Sequence, residues 1–187
     1  MSDPASRAAR QQRLTPERIV LVGLRGSGKS TIGPLLAQLL DLPFLDSDRS
    51  IEEAEAHPAT IIAEQGLPRF REIERRVVLE LAQAESGVLA LGGGAVETPE
   101  VILALHPWLA LWLDAPDAVL AARLDSDRTL RPALTDRTPL KEIALLRERR
   151  SALYSSISPV MIPTGDRDPD SIARAIVENL AEGYASQ

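Results

Sequence analysis

Short aliphatic runs alternate along the chain with longer stretches whose apolar positions recur at helical spacing. Ile19-Val20-Leu21-Val22 is one such run. Its length and β-branched content predict a strand buried on both faces. Phe44-Leu45, Val88-Leu89-Ala90-Leu91, Leu109 to Leu113 and Val160-Met161-Ile162 read as further strands. Helical periodicity predicts helices over about 29–40, 51–56, 69–84, 100–105, 116–123, 140–154 and 170–181. Pro116 suits the first turn of its helix. Strands alternating with helices imply a three-layer α/β fold, a parallel sheet covered on both faces. Residues 1–16 are polar, carry Arg7, Arg10 and Arg13 without an apolar period, and read as a disordered tail. Residues 17–187 read as a single domain.

Composition narrows the class. The 187 residues are 44% hydrophobic but only 3% aromatic, so the core must be built from Leu, Ile, Val and Ala. A formal net charge of −6 argues against a nucleic-acid partner, which usually meets a basic face. With 0 cysteines there is no disulfide framework, thiol nucleophile or thiolate zinc site. No apolar run approaches the length of a membrane span, and the N-terminus lacks the apolar segment of a secretory signal. A cytoplasmic protein is expected.

Gly23-Leu24-Arg25-Gly26-Ser27-Gly28-Lys29-Ser30 matches G-x-x-x-x-G-K-[ST] between a predicted strand and a predicted helix. In such a loop glycines let backbone N–H groups turn inward around phosphate oxygens. The helix that follows aims its positive end at the same charge. Lys29 is placed to reach the β- and γ-phosphates and Ser30 to offer its hydroxyl to Mg²⁺. The motif says nucleotide, not which reaction.

The acceptor must be read elsewhere. Asp46-Ser47-Asp48 follows the second strand, at the sheet edge where α/β proteins gather ligands. These carboxylates could divide between a metal and an acceptor hydroxyl; equally, Asp48 could cap the next helix. Arg71 and Glu74 could pair on one helix face, a spacing most often seen on solvated surfaces. Gly92-Gly93-Gly94 after a buried strand suggests a ligand approaching the backbone closely. Arg131-Pro132, with Arg123 and Arg128 adding charge, lies in a turn-rich stretch that could close over a nucleotide. Arg147, Arg149 and Arg150 fall on the helix after it, where most arginines are solvated.

Taken in order and spacing, these segments resemble the shikimate kinases from about Ile19 to Leu180. The matching pieces are the phosphate loop, Leu45-Asp46-Ser47-Asp48, Phe70-Arg71-Glu72-Ile73-Glu74, Leu91-Gly92-Gly93-Gly94-Ala95, Arg131-Pro132 and Arg150-Ser151-Ala152-Leu153-Tyr154. The resemblance implies a five-stranded parallel sheet in order 2-3-1-4-5, an acceptor-binding subregion over about 48–75 and a lid over about 124–137. It implies that ATP phosphates are held by Gly26, Ser27, Gly28, Lys29, Ser30 and Thr31, with Arg131 from the lid and Arg167 bordering adenine. Asp48 would contact ring hydroxyls of shikimate and act as base. Arg71 and Arg150 would hold its carboxylate, and Gly93 would add a backbone contact. Ser30 and Asp46 would attend Mg²⁺. The implied catalytic set is Lys29, Asp48 and Arg131, in a monomer making shikimate 3-phosphate for aromatic amino-acid biosynthesis.

The chain departs from that pattern at Ile62 and Leu67, where many members carry Phe and Glu. Asp114 imitates a metal-binding strand-end aspartate but reads as structural. His57 and His106 have no partner spacing. Trp108 and Trp112 read as packing residues that could share a face. A kinase for another acceptor, such as gluconate, and a non-catalytic sensor on the same scaffold are the alternatives.

Overall fold

The computed structural model describes residues 16–126, 138–165 and 167–185. The expected lid residue Arg131, most of the expected lid and residues 1–15 of the expected tail lie outside them. Five strands form one parallel sheet in the order β2-β3-β1-β4-β5. They are β1 (Arg18–Val22), β2 (Phe44–Asp46), β3 (Gly87–Ala90), β4 (Leu109–Asp114) and β5 (Val160–Pro163). The helices are α1 (Lys29–Leu40), α2 (Ser47–Ala54), α3 (Pro58–Leu81), α4 (Pro99–Ala104), α5 (Asp117–Ser126), α6 (Pro139–Ile157) and α7 (Pro169–Ala185).

Side-chain alternation along the strands divides the core. Ile19 and Leu21 point to one face with Val88, Leu111 and Leu113, where they meet Ile32 and Leu36 of α1 and Ile172 and Ile176 of α7. Val20 and Val22 point to the other face with Leu89 and Leu91, against Val78, Leu120, Ile143 and Tyr154. A smaller cluster of Ile51, Ile61, Phe70, Ile73 and Val77 joins α2 to α3. It carries that helical corner over the carboxyl end of the sheet.

Two helix boundaries differ from the periodicity. The segment before Arg69 is helical as well: α3 runs from Pro58, with His57 Nδ1 accepting from Ala59 N at its start. Gly66, at φ 84° and ψ 162°, interrupts it. Pro68 then falls in the first turn of the second half, where its missing N–H is harmless. The other difference is α2, which starts at Ser47 directly after β2. Its cap is Asp46, not Asp48: Asp46 Oδ1 accepts from the N–H groups of Asp48 and Arg49 at 3.0 and 3.2 Å. A strand end in extended geometry at Asp46 supplies the cap conformation with no loop between.

Trp108 lies just before β4 and donates from Nε1 to Ala82 O at 3.2 Å, while Trp112 within β4 stacks at 5.7 Å on Tyr154. Both belong to the same side of the sheet. Leu89 lies in β3, next to the central strand, and is fully buried. Leu89→Ala should therefore cost about 2–5 kcal/mol in urea unfolding. A loss well under that range would contradict the packing described.

Candidate active site

The carboxyl ends of β1, β2 and β3 open onto two adjoining cavities. One, of about 420 Å³, follows the phosphate loop and is lined by Gly26, Gly28, Lys29, Ser30, Thr31 and Arg167, among others. Gly28, at φ 97° and ψ 9°, makes the turn from loop into α1, a conformation that residues with a Cβ rarely adopt. Lys29 Nζ donates to the carbonyls of Gly23 and Leu24 at 2.8 and 2.9 Å. Ser27 lies behind the loop rather than in the cavity. It is fully buried, its N–H donates to Leu24 O and its carbonyl accepts from Thr164 Oγ1 at 2.9 Å.

The loop is braced from outside. Arg123 donates to Gly26 O at 3.0 Å and to the carbonyls of Thr164 and Gly165, both at 2.6 Å. The sequence had placed Arg123 among the charges of a lid. The structure uses it to tie the phosphate loop to the segment after β5. Arg147 is likewise engaged, not solvated: it donates to Asp114 Oδ2 at 2.7 Å, Asp117 Oδ1 at 2.5 Å and Ala115 O at 2.6 Å. Asp114 lines neither cavity.

The second cavity, of about 300 Å³, lies between the glycine run, α2 and α3. One wall is charged, with Asp48, Arg71, Glu74 and Arg150; another is apolar, with Ile62, Leu67 and Phe70. Arg71 and Glu74 do pair at i, i+3, but inside the protein, where Glu74 is only 2% exposed. Burial pushes the Glu74 carboxyl above the usual carboxylate range, against the pull of the Arg71 guanidinium. Nearby Asp48 adds to the rise, and Arg150 opposes it.

Glu97 completes this network, and the sequence had not singled it out. It sits on a short 3₁₀ turn (Ala95–Glu97) after the glycine run. Its Oε1 accepts from Arg150 Nε at 3.0 Å and lies 2.8 Å from Arg149 Nε, while Oε2 lies 3.6 Å from Arg71 Nη2. Arg150 is thereby buried on α6 yet borders the cavity. Only knowledge of the turn that follows Gly94 could have found Glu97.

The glycine run is what lets these groups converge. A Cβ at Gly92 would stand 2.7 Å from Glu74 Oε1 and 2.9 Å from Asp48 Oδ1, and one at Gly94 would collide with the Arg71 guanidinium. Gly92 N donates to Ser47 Oγ at 2.8 Å, and Tyr154 Oη donates to Gly93 O at 2.6 Å. The tyrosine hydroxyl is held protonated by burial, which pushes its pKa up. Ser30 Oγ donates to Asp46 Oδ2 at 2.8 Å, so these two hard oxygens lie side by side where the cavities meet. The structure thus brings together Asp46, Asp48, Arg71, Gly93 and Arg150 with the loop residues.

A family model described as shikimate kinase matches residues 25–181. The shikimate kinase of Prochlorococcus marinus is 39% identical over 166 residues, covering 88% of this chain and 87% of that protein. A solved shikimate kinase from Acinetobacter baumannii, in complex with shikimate, superposes with a TM-score of 0.85 at 30% identity, covering 92% of this chain and 98% of that one. A gluconokinase from Sinorhizobium meliloti, at 16% identity, TM-score 0.63 and coverage of 92% and 95%, shares the fold alone. The match to the family model across most of the chain, together with the relatives' identity, shows that the protein belongs to the shikimate kinase family.

Proposed function

We propose that the protein transfers the γ-phosphoryl group of ATP to the 3-hydroxyl of shikimate, giving shikimate 3-phosphate and ADP for aromatic amino-acid biosynthesis. The observation that carries this reading is the joining of two cavities. A phosphate loop lines one, and two arginines already anchored by carboxylates line the other.

In this reading the shikimate carboxylate binds Arg71 and Arg150. Guanidinium forks suit a planar carboxylate, and anchoring by Glu74 and Glu97 removes most of the entropy cost of ordering them. The ring lies against Ile62, Leu67 and Phe70, within the subregion of about residues 48–75. Leu67, an exposed large apolar residue, follows the kink at Gly66 and so faces the ring from the cavity's rim. Gly93, fixed by Tyr154, presents backbone to the same ligand. The hydroxyl oxygen attacks the γ-phosphorus as the bond to the bridging oxygen of ADP breaks, and the hydroxyl proton passes to the Asp48 carboxylate.

Gly26, Gly28, Lys29, Ser30 and Thr31 hold the phosphates at the positive end of α1. Arg131 adds charge from outside the described residues, and Arg167 borders the adenine. The side-by-side oxygens of Ser30 and Asp46 fit Mg²⁺, which takes few protein ligands and keeps phosphate and water oxygens. When bound, the cation neutralises developing phosphate charge. Among the described residues no helix is long and apolar enough to cross a membrane. We take the protein to be a monomer in the cytoplasm.

Two variants test the reading. Arg150→Ala should weaken shikimate binding by about 2–5 kcal/mol in calorimetry, because Glu97 loses a buried partner as well. Unchanged affinity would remove Arg150 from the acceptor site. Lys29→Ala should lower kcat roughly 10²–10³-fold, the range for deleting one donor to developing oxyanion charge. Near-normal turnover would count against the phosphate-loop mechanism.

A further inference from the structure

Five residues line both cavities: Arg25, Ser30, Asp46, Asp48 and Gly93. A phosphoryl group passing from nucleotide to acceptor must cross the space they share. Four of them bring no positive charge, and two are carboxylates that repel the group in transit. Lys29, Arg123 and Arg167 line the nucleotide cavity only, and Arg71 and Arg150 the acceptor cavity only. Among the described residues, Arg25 is therefore the cation common to both.

Its surroundings fix it there. Arg25 sits in the middle of the phosphate loop, where its backbone nitrogen lies 3.6 Å from the place a Cβ on Gly93 would take. The loop thus backs onto the glycine run at this residue. The side chain is 19% exposed, and Nη1 lies 4.0 Å from Glu142 Oε1, on a side chain only 7% exposed. Glu142 belongs to the first turn of α6, the helix that also carries Arg150. A buried carboxylate at this distance orients the guanidinium toward the space the cavities share. A guanidinium stays charged across the working pH range and presents a planar fork to phosphoryl oxygens.

We propose that Arg25 is a catalytic residue of the transfer, its guanidinium meeting the phosphoryl group between the two cavities, and that Glu142 is the positioning residue that holds it there. The inference rests on the kinase reading above. The acceptor oxygen–phosphorus bond forms as the bond to the ADP oxygen breaks, and the proton goes to Asp48. Arg25 keeps its protons and supplies charge alone.

The test compares Arg25→Ala, Arg25→Lys, Glu142→Gln and the Arg25→Ala/Glu142→Gln double variant with the unaltered protein. Arg25→Ala should lower kcat roughly 10²-fold, with both KM values little changed, as loss of a contact made only in the transition state requires. Arg25→Lys should recover part of the rate. Glu142→Gln should lower it less, and the double variant should be no slower than Arg25→Ala, since Glu142 acts through Arg25. Independently of turnover, Arg25→Ala should lose affinity for ADP with Mg²⁺ and aluminium fluoride, a mimic of the group in transit, and keep its affinity for ADP alone. An unchanged kcat, or equal losses for ADP and ADP–aluminium fluoride, would overturn the proposal. If the unaltered protein ignores shikimate while the aluminium fluoride difference persists, the acceptor reading fails and the role of Arg25 stands.

Discussion

Everything at the site depends on one stretch of backbone without side chains. After β3 the chain runs through Gly92, Gly93 and Gly94, and Glu74, Asp48 and Arg71 occupy the volume that Cβ atoms would take. Charged groups from α2, α3 and α6 can meet at the sheet edge because this backbone yields them the room. Two hydrogen bonds fix the run in return, one to Ser47 Oγ and one from Tyr154 Oη. The close approach is thus a property of packing, set by Tyr154 in the core and by the short passage from β2 into α2.

Burying several charges in one place is costly unless each finds a partner. Here Glu74 and Glu97 stand between Arg71, Arg149 and Arg150. The raised pKa of Glu74 records the desolvation that the arginines only partly offset. Such a lattice contributes little net stability, but it presents two guanidiniums in fixed positions to an incoming carboxylate. The nucleotide cavity is organised by similar means: Arg123 and Thr164 hold the outside of the phosphate loop while its inner face lines the cavity. Arg25 and the Ser30–Asp46 pair lie where the two arrangements touch.

Much of this was legible in the sequence. The aliphatic runs marked the inner strands because a parallel sheet buries both of their faces, and alternation within Ile19 to Val22 does feed two separate core clusters. The phosphate loop was legible because its geometry restricts residue type at consecutive positions. What was not legible depended on contacts distant in sequence. Arg71–Glu74 looked like a surface pair because nothing local shows that α3 turns this face toward the glycine run. Asp46 rather than Asp48 proved to be the cap, since the absence of a loop after β2 is a tertiary outcome. Arg123 read as lid charge and Arg147 as solvated charge because their carbonyl and carboxylate partners lie some 30 to 97 positions away. Periodicity alone did not mark the first half of α3 because Gly66 and Pro68 break its period.

The central claim is that a carboxylate-bearing ring fills the cavity walled by Arg71 and Arg150 and receives phosphate from the loop side. The most direct measurement is ADP release by the purified protein with ATP and Mg²⁺, in the presence of shikimate, of gluconate, or of no acceptor. The account predicts fast release only with shikimate, and shikimate 3-phosphate as product. Release that is indifferent to shikimate, in a protein that still binds ATP, would contradict it.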